Sequence, residues 1–290
     1  MASSIAALPA TGPRMSRREF EDLAQLVRET CGIKLTQEKT TMLTSRLSKR
    51  LRLLGLASYA HYYEYVTSEA GREAELGHMI DAVTTNKTDF FREPSHFEFL
   101  TRTALPNVMS LIGGTGGGHL QLWSAACSTG EEPYTMAMVV SEFLQTRRSW
   151  RASILATDIN REVLVYGTQA VYPEHLVAPI PAEYRLRYLM RGRGARQGEC
   201  RIVPELRNLV TFRRLNLVGG DYGFNTQMHV VFCRNVIIYF DRDTQRELFA
   251  RIYRHTAPGG YLFIGHSESL TGVSDDFERV APTVYRRPPV

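Results

Sequence analysis

LWSAACSTGEEPY, residues 122–134, is the stretch that decides the fold of this chain. An apolar run ends in small residues, turns at Gly130 and meets Pro133, a residue type favoured at the first position of a helix. Strand, small-residue loop and helix in this order present backbone N–H groups and a helix N-terminus to a ligand. The loop has a single glycine, and it lacks both the glycine-rich dinucleotide fingerprint and the Lys-Ser/Thr pair of a P-loop. The stretch therefore predicts a nucleotide-type α/β fold that does not bind its ligand through phosphates.

Two glutamates, Glu131 and Glu132, stand where a phosphate would bind in such a fold, and they would repel it. An acidic mouth suits a ligand that carries positive charge, and S-adenosylmethionine has both a sulfonium and an ammonium group. With Pro133 at the first helical position, Glu132 is expected to be the N-cap, with its carboxylate directed into the ligand-binding site at the end of the strand. Glu131 is then expected to face solvent. We therefore favour Glu132 over Glu131 as the ligand contact.

The composition bounds the class of protein. At 290 residues with 43% apolar content, the chain makes one large domain or two, and no apolar run is long enough to span a membrane. Residues 1–15 are small and rich in proline and glycine, which predicts a disordered tail rather than a secretion signal. The 4 cysteines lack CxxC spacing, which indicates free cytosolic thiols and no metal site. The net charge of +5 favours an acidic partner, either nucleic acid or an acidic protein surface.

Residues 16–84 are predicted to form an all-helical domain. Ser16 and Glu19 make a capping box, and apolar residues follow at helical spacing. Further helices are expected at 37–54, 58–67 and 72–83.

Three basic residues of the second helix, Lys39, Arg46 and Arg50, fall on one line beside its apolar stripe. The pattern has two interpretations. It is either a solvated basic face or a docking site for an acidic helical partner.

From residue 119 the pattern alternates strand and helix. This alternation predicts a parallel, doubly wound sheet that ends in a hairpin, with ligands at the carboxyl ends of the strands. Asp158 closes the second strand, where an acid can accept hydrogen bonds from ribose hydroxyls. The strands are expected at 119–125, 152–157, 209–215, 229–233, 261–265 and 284–287, and the helices at 133–147, 161–169 and 242–255.

Two segments outside this alternation predict less regular structure. Residues 84–93 are a linker or a ligand-covering loop, and the helix that starts at Pro94 is expected to end before Pro106. Residues 113–118 (GGTGGG) precede a strand rather than follow one, which favours a flexible connector over a phosphate loop.

An interruption at 172–207 is too long for an ordinary connection within the sheet. It holds two β-like stretches joined by a turn that contains Gly192, Gly194 and Gly198. This inserted hairpin is either a surface loop without a binding role or an edge strand on which an extended peptide docks by strand addition.

Six motifs in series resemble the chemotaxis receptor methyltransferases, which are S-adenosylmethionine-dependent protein-glutamate O-methyltransferases. They are TTNKTDFFRE (84–93), WSAACSTGEEPY (123–134), ATDIN (156–160), LNL (215–217), FCRNVIIYFD (232–241) and GHSE (265–268). The resemblance covers about residues 16–287. It implies an all-helical N-terminal domain at 16–84, followed at 85–290 by a class I methyltransferase sheet with a small inserted β-subdomain.

The resemblance also implies roles for individual residues. Tyr239 corresponds to a tyrosine near the transferred methyl group, and Arg92 binds either the incoming carboxylate or that of the cofactor. Cys127 stands where many members have alanine, and we expect an exposed thiol there to be sensitive to oxidation. The implied cofactor contacts are Asn86, Thr88, Arg92, Glu132, Asp158, Asn216, Leu217, Cys233, Arg234 and Asn235.

The implied reaction is displacement at a methyl group by a glutamate carboxylate, with S-adenosylhomocysteine as the product. A carboxylate is already ionised at neutral pH, with a reference pKa near ~4.3, so no general base is needed. Catalysis then rests on alignment of the reactants and exclusion of water. His266, Ser267 and Glu268 are adjacent in sequence and cannot form a hydrolytic triad, which favours a strand-end turn.

The partners implied by the resemblance are the cytoplasmic helical bundle of chemoreceptors and, for the three-glycine hairpin, a receptor's C-terminal pentapeptide. We expect a monomeric bacterial enzyme in the cytoplasm, recruited to membrane receptors without membrane insertion, metal or nucleic acid. The alternatives are a non-catalytic cofactor-binding sensor and a nucleic-acid methyltransferase. The second lacks a [DN]PP[YF] motif and a Pro-Cys nucleophile. An NAD-dependent oxidoreductase lacks its glycine fingerprint.

Overall fold

The computed structural model describes residues 13–113 and 116–289. Most of the predicted tail at 1–15 and part of the connector at 113–118 lie outside these residues. The chain divides into two compact units, Met1–Thr85 and Asn86–Val290, and each is described by itself.

The first unit is all-helical in its described part, as the sequence predicts. Helix α1 begins at the capping box, in which Ser16 Oγ accepts the Glu19 N–H at 3.3 Å and the Glu19 carboxylate accepts the Ser16 N–H at 2.7 Å. It ends at Gly32, whose φ of 74° allows the left-handed cap. The predicted helix at 72–83 is two helices that meet at Glu75. The helices are α1 (Arg17–Cys31), α2 (Thr40–Leu54), α3 (Tyr59–Thr67), α4 (Glu69–Ala74) and α5 (Leu76–Val83), with a 3₁₀ turn at Gln37–Lys39.

Two of the three residues in the predicted docking stripe have structural roles inside this unit. Arg50 donates from Nε and Nη2 to the two carboxylate oxygens of Glu75, at 2.8 and 2.6 Å. Arg46 donates to the carbonyls of Val83 and Thr84, at 2.6 and 2.8 Å. These carbonyls are left unpaired where α5 ends, so Arg46 caps that helix. Arg46 and Arg50 are therefore half-buried and bonded within this unit, whereas Lys39 is exposed, and a docking role of the three stays a prediction.

The second unit is built on a seven-stranded sheet in the order β6-β2-β1-β7-β8-β10-β9. The first five are parallel, and β10 runs antiparallel to both β8 and β9, which confirms the doubly wound sheet with a terminal hairpin. Strand β9 was not predicted because its residues are mostly exposed and carry no apolar alternation. The strands are β1 (Gly118–Ala125), β2 (Trp150–Asp158), β6 (Val210–Arg214), β7 (Met228–Cys233), β8 (Thr256–Phe263), β9 (Glu278–Ala281) and β10 (Val284–Arg286).

The strand register brings the predicted site residues to one edge of the sheet. Ala125, the last residue of β1, lies opposite Thr157 of β2 and Cys233 of β7. The loops that follow these three strands therefore start at the same level. The helices that cover the sheet include α8 (Glu131–Leu144), α9 (Arg161–Gln169), α11 (Pro204–Arg207) and α12 (Arg242–His255).

The helix before the sheet continues through Pro106, contrary to the prediction. Helix α6 (Pro94–Phe99) passes into a π-helical segment, Leu100–Ala104, and then into α7 (Leu105–Ile112). The wider π turn comes directly before the proline, where an ordinary helical hydrogen bond is lost. This local adjustment lets the helix accommodate Pro106 without ending.

The interruption is a separate three-stranded antiparallel sheet in the order β3-β5-β4. It confirms the predicted β-insert and adds the strand β3. Gly192 is required there because a Cβ would lie 1.9 Å from the Arg196 carbonyl oxygen. The elements are β3 (Val171–Pro173), α10 (Ala182–Tyr188), β4 (Leu189–Arg191) and β5 (Glu199–Ile202).

Among the described residues, no helix combines the length and the apolar character needed to cross a membrane.

Candidate active site

Unusual backbone geometry concentrates at the carboxyl edge of the main sheet. Positive φ angles are uncommon outside glycine, and clusters of them mark functional loops. Five such residues in the described part of the chain belong to the predicted site motifs: Phe91, Glu93, Ala126, Ser128 and Asn235.

The loop after β1 is tied to the end of β2 by Asp158. One carboxylate oxygen of Asp158 accepts the Ser128 N–H at 2.9 Å, and the other accepts the Asn160 N–H at 3.0 Å. The Ser128 hydroxyl in turn donates to the Asn86 carbonyl at 2.8 Å. Each carboxylate oxygen has more than one lone pair, so Asp158 can still accept ribose hydroxyls. Hydrogen bonds thus connect the loop after β1, Asp158 and the backbone of Asn86.

The structure corrects the helix start. Helix α8 begins at Glu131 with Gly130, at φ 99°, as its N-cap, so Pro133 is the third helical residue rather than the first. Proline is tolerated there because the first N–H groups of a helix have no partner within the helix. Glu132 is therefore not the N-cap, and both glutamates lie in the first turn.

The two glutamates have different surroundings. Glu131 is buried and accepts a hydrogen bond from the Thr129 hydroxyl at 2.7 Å, so the expectation that it faces solvent is wrong. Glu132 accepts from the Ser124 hydroxyl at 2.7 Å and pairs with Arg234 Nε at 3.5 Å. Burial raises the pKa of both carboxyls, and for Glu132 the charge of Arg234 opposes that rise.

Arg234 is the centre of a buried ionic cluster just after β7. Besides Glu132, it pairs with Glu93 at 3.3 Å and donates from Nη2 to the Arg92 carbonyl. Its guanidinium also lies 5.6 Å from the ring centroid of Phe97. The Nε and Nη1 groups of Arg234 are buried without a hydrogen-bond partner among the described residues.

These unpaired donors test the fit of S-adenosylmethionine. Buried N–H groups normally have a hydrogen-bond partner, so two buried donors without one favour a ligand that brings an acceptor. A cofactor carboxylate can accept from Arg234, and its ammonium can pair with the carboxylate of Glu132. Two carboxylates, those of Glu93 and Glu132, pair with the one guanidinium of Arg234, and the charge of Arg92 also acts on Glu132.

The role of Glu93 is not evident from the sequence, in which it is the last residue of the segment 84–93. Its Oε1 accepts the backbone N–H of His266 at 3.1 Å and the Asn235 side-chain amide at 3.3 Å. Burial alone would raise the pKa of Glu93, but the charge of Arg234 and these hydrogen bonds hold it below its ordinary value. Glu93 thus links three segments that are distant in sequence.

His96 lies beside this cluster. Its Nε2 is 2.8 Å from the Thr283 hydroxyl, and its ring is buried. Burial and the charge of Arg234 lower the pKa of His96 to about 3, so the ring is neutral at physiological pH. Ligand atoms of Glu93, His96 and His266 lie within 4.8 Å of one another, but Arg234 already supplies the positive charge against Glu93.

The remaining predicted residues lie along the same edge of the sheet or just before α6. Asn216 and Leu217 follow β6, where the Asn216 side chain accepts the Val218 N–H at 3.1 Å and Leu217 is buried. Arg92 is half-buried and donates to the Lys87 carbonyl at 3.1 Å. Thr88 is half-buried and lies in the segment before α6. Tyr239 is also half-buried and is the last residue of the 3₁₀ turn Ile237–Tyr239.

Both predicted cysteines at this edge are buried. Cys233 is the last residue of β7, and burial raises the pKa of its thiol well above the ordinary value. Cys127 is only 1% exposed, and burial together with Asp158 raises its pKa as well. Cys127 therefore does not meet the condition for oxidation sensitivity, because a buried thiol is neither accessible nor ionised.

The predicted docking residues belong to other elements of the chain. Gly192, Gly194 and Gly198 are in the turn between β4 and β5 of the insert, and Lys39 is in the helical unit. They contribute no side chain to the ionic cluster around Arg234.

Comparisons with known proteins identify the family. Residues 86–286 match the family model for the "CheR methyltransferase, SAM binding domain", and residues 18–84 match that for the "CheR methyltransferase, all-alpha domain".

Three curated relatives align over nearly their whole length. The chain is 39% identical over 270 residues to chemotaxis protein methyltransferase 2 of Pseudomonas aeruginosa, with 93% of each protein covered. It is 37% identical over 271 residues to the chemotaxis protein methyltransferase of Escherichia coli, covering 93% of this chain and 91% of that protein. It is 33% identical over 274 residues to that of Borreliella burgdorferi, covering 94% and 95%. The chain therefore belongs to the CheR methyltransferase family of S-adenosylmethionine-dependent enzymes.

Proposed function

We propose that this enzyme methylates glutamate side chains of chemoreceptors, forming glutamate methyl esters and releasing S-adenosylhomocysteine. The observation that carries the proposal is the cluster of Glu132, Arg234 and Glu93 at the carboxyl edge of the main sheet. This sheet lies within the residues that match the SAM-binding domain of the family. The names of the relatives, chemotaxis protein methyltransferases, support chemoreceptors as the substrate class.

The residues around the cluster divide the cofactor contacts among them. Arg234 and Glu132 hold the carboxylate and the ammonium of its amino-acid end. Asp158 accepts hydrogen bonds from the ribose, and the segment 216–217 lies beside the adenine. When bound, the cofactor supplies an electrophilic methyl group.

The acceptor needs orientation rather than activation. A glutamate carboxylate is ionised at neutral pH, so the site needs no base to remove a proton. Arg92 pairs with the incoming carboxylate, and Tyr239 orients it towards the methyl group. Holding the reactants in line supplies the rate enhancement, because a fixed geometry removes most of the entropic cost of the encounter.

The insert provides a second contact with the receptor. Strand β4 is an edge of the sheet β3-β5-β4, and residues 190 and 191 on it are exposed. An edge strand offers unpaired N–H and C=O groups to an extended peptide. We place a receptor's C-terminal pentapeptide on this edge, and the helical methylation region at the active site, with Lys39 as a basic contact. The enzyme then acts as a cytoplasmic monomer that is recruited to membrane receptors.

Peptide docking is tested by two glycine variants. Gly192→Ala places a Cβ against the Arg196 carbonyl, whereas Gly220→Ala, outside the insert, meets no atom within 4 Å and serves as the matched control. Calorimetric titration with a receptor C-terminal pentapeptide should show binding to wild type and Gly220→Ala and weaker binding to Gly192→Ala. Wild-type protein that does not bind the peptide would remove this contact.

Methyl transfer is tested with methyl-labelled S-adenosylmethionine and receptor cytoplasmic fragments. The candidate glutamates are left intact or changed to alanine, and the label released by base as methanol is counted. The proposal predicts release that depends on those glutamates. Cofactor binding without transfer to any fragment would favour the non-catalytic sensor instead.

A further inference from the structure

Glu268 holds the turn after β7 through backbone hydrogen bonds. Its Oε2 accepts the N–H groups of Gly265 and Asn235, at 2.6 and 2.9 Å. Its Oε1 accepts the N–H of Ile237 at 3.0 Å. One buried carboxylate thus joins the loop after β8 to the turn after β7.

The turn that Glu268 holds is strained and lies in the site. Asn235 has a φ of 56°, a left-handed conformation that costs free energy in a residue with a side chain. Glu93 accepts from the side-chain amide of Asn235, and Glu268 accepts from its backbone, so two carboxylates fix this residue. Arg234 comes directly before it and Tyr239 follows four positions later.

The backbone at Gly265 packs closely against the turn that contains Asn235. A Cβ at Gly265 would lie 2.4 Å from the Asn235 amide nitrogen and 2.9 Å from Glu268 Oε2. The backbone of residue 265 must therefore pass directly against the turn. The GHSE motif supplies both the glycine that permits this approach and the carboxylate that binds across it.

A carboxylate is chemically suited to this place. Ionised, it only accepts hydrogen bonds, and it can do so with both oxygens at once. Burial raises the pKa of Glu268, and the backbone N–H groups that donate to it oppose that rise. Glutamine has nearly the same shape, but its NH₂ group would face an N–H donor and lose that hydrogen bond.

We infer that Glu268 is a positioning residue for methyl transfer. It sets the turn 234–239 so that Arg234 and Asn235 meet the cofactor and Tyr239 meets the acceptor. The inference rests on the proposed function for its activity readout, but the contact itself is measurable without turnover.

The test compares Glu268→Gln with Glu278→Gln, a matched change at an exposed acid of β9. We expect kcat per folded molecule to fall about 10- to 100-fold in Glu268→Gln, because small misplacements in an active site cost rates of this order. Glu278→Gln should keep the wild-type kcat. Circular dichroism fixes the folded fraction of each variant.

A double-mutant cycle with Tyr239→Phe separates positioning from general damage. If Glu268 acts through the turn, its substitution costs less in the Tyr239→Phe background than in wild type. Equal costs in both backgrounds would contradict a role through Tyr239.

Hydrogen exchange tests the contact independently of activity. The amides of Asn235 and Ile237 should exchange slowly in wild type and faster in Glu268→Gln, with β1 and β2 unchanged. Rapid exchange of these amides in wild type would overturn the inference, even if the variant failed to fold. Slow exchange in a protein that methylates no receptor fragment would leave the contact standing and reject the proposed function alone.

Discussion

At the scale of single residues, the site is organised by the charge balance around Arg234. Its buried guanidinium lies between the carboxylates of Glu93 and Glu132. A buried charge is stable only when it is paired, and removal of one partner leaves the others uncompensated. The two carboxylates are the groups that favour a cationic cofactor.

Glu132→Gln tests which glutamate binds the cofactor. The variant keeps the shape of the side chain and a hydrogen bond with Ser124 but removes the charge. A hydrogen bond to a charged group contributes about 1.5–3 kcal/mol, so S-adenosylhomocysteine should bind roughly 10- to 100-fold more weakly. Isothermal titration calorimetry measures the change.

Glu131→Gln is the control for this substitution, since its partner is the Thr129 hydroxyl. Its affinity for S-adenosylhomocysteine should stay close to that of wild type. A larger loss in Glu131→Gln than in Glu132→Gln would reverse the assignment of the two glutamates.

His96 gives the stability of the protein a defined pH dependence. Its pKa is lowered from 6.5 to about 3 in the folded state by burial and by Arg234, while Glu93 and the nearby His266 act in opposite directions. Between these values the unfolded state binds one more proton than the folded state, so the free energy of unfolding falls as the pH decreases. The slope contributed by His96 is at most about 1.4 kcal/mol per pH unit.

Urea unfolding between pH 6 and 4.5 measures this slope, since across that range His96 is protonated in the unfolded chain and neutral in the folded protein. His96→Gln should have a shallower slope than wild type, and substitution of the exposed His175 by glutamine should not change it. Identical slopes in wild type and His96→Gln would show that His96 is not held neutral.

At the scale of elements, the helical unit depends on contacts between α2 and the residues around α5. Glu75, between α4 and α5, is 2% exposed and accepts hydrogen bonds from Arg50 and from the Tyr62 hydroxyl. The Arg46 side chain caps α5. Basic residues that resemble a docking surface in the sequence therefore hold helices together.

Arg50→Met should destabilise the helical unit by about 3–5 kcal/mol, because it leaves the buried Glu75 carboxylate without its cation. The urea-unfolding transition of the full chain, followed by circular dichroism, measures the loss. Lys39→Glu is the control, and at an exposed position its effect on stability should stay within about 0.5 kcal/mol. Wild-type stability of Arg50→Met would mean that the pair contributes little.

The strand and helix pattern could be predicted because its signals are local, as in the capping box at Ser16 and the apolar strands that end in polar residues. The roles of Arg46 and Arg50 could not, because their partners lie 37 and 25 residues away along the chain. For the same reason the sequence alone pointed to Asp158 and Glu132, which belong to recognisable turns, but missed Glu93 and Glu268. The contacts of those two residues exist only once the strand-end loops have come together.

At the scale of the whole molecule, the chain combines an all-helical unit with a methyltransferase sheet that carries a β-insert. The parallel register places the ends of β1, β2 and β7 at one level, so that residues from distant motifs share one site. We propose that this site transfers a methyl group to a carboxylate, an acceptor that needs no base because it is already ionised at neutral pH.

The most direct test is peptide mass mapping of a receptor cytoplasmic fragment after incubation with the enzyme and S-adenosylmethionine. We expect added methyl groups on glutamates only, lost again after mild base and sharply reduced with Glu132→Gln. Methyl groups on lysine or arginine, or additions that resist base, would contradict a carboxyl methyltransferase and require a different acceptor.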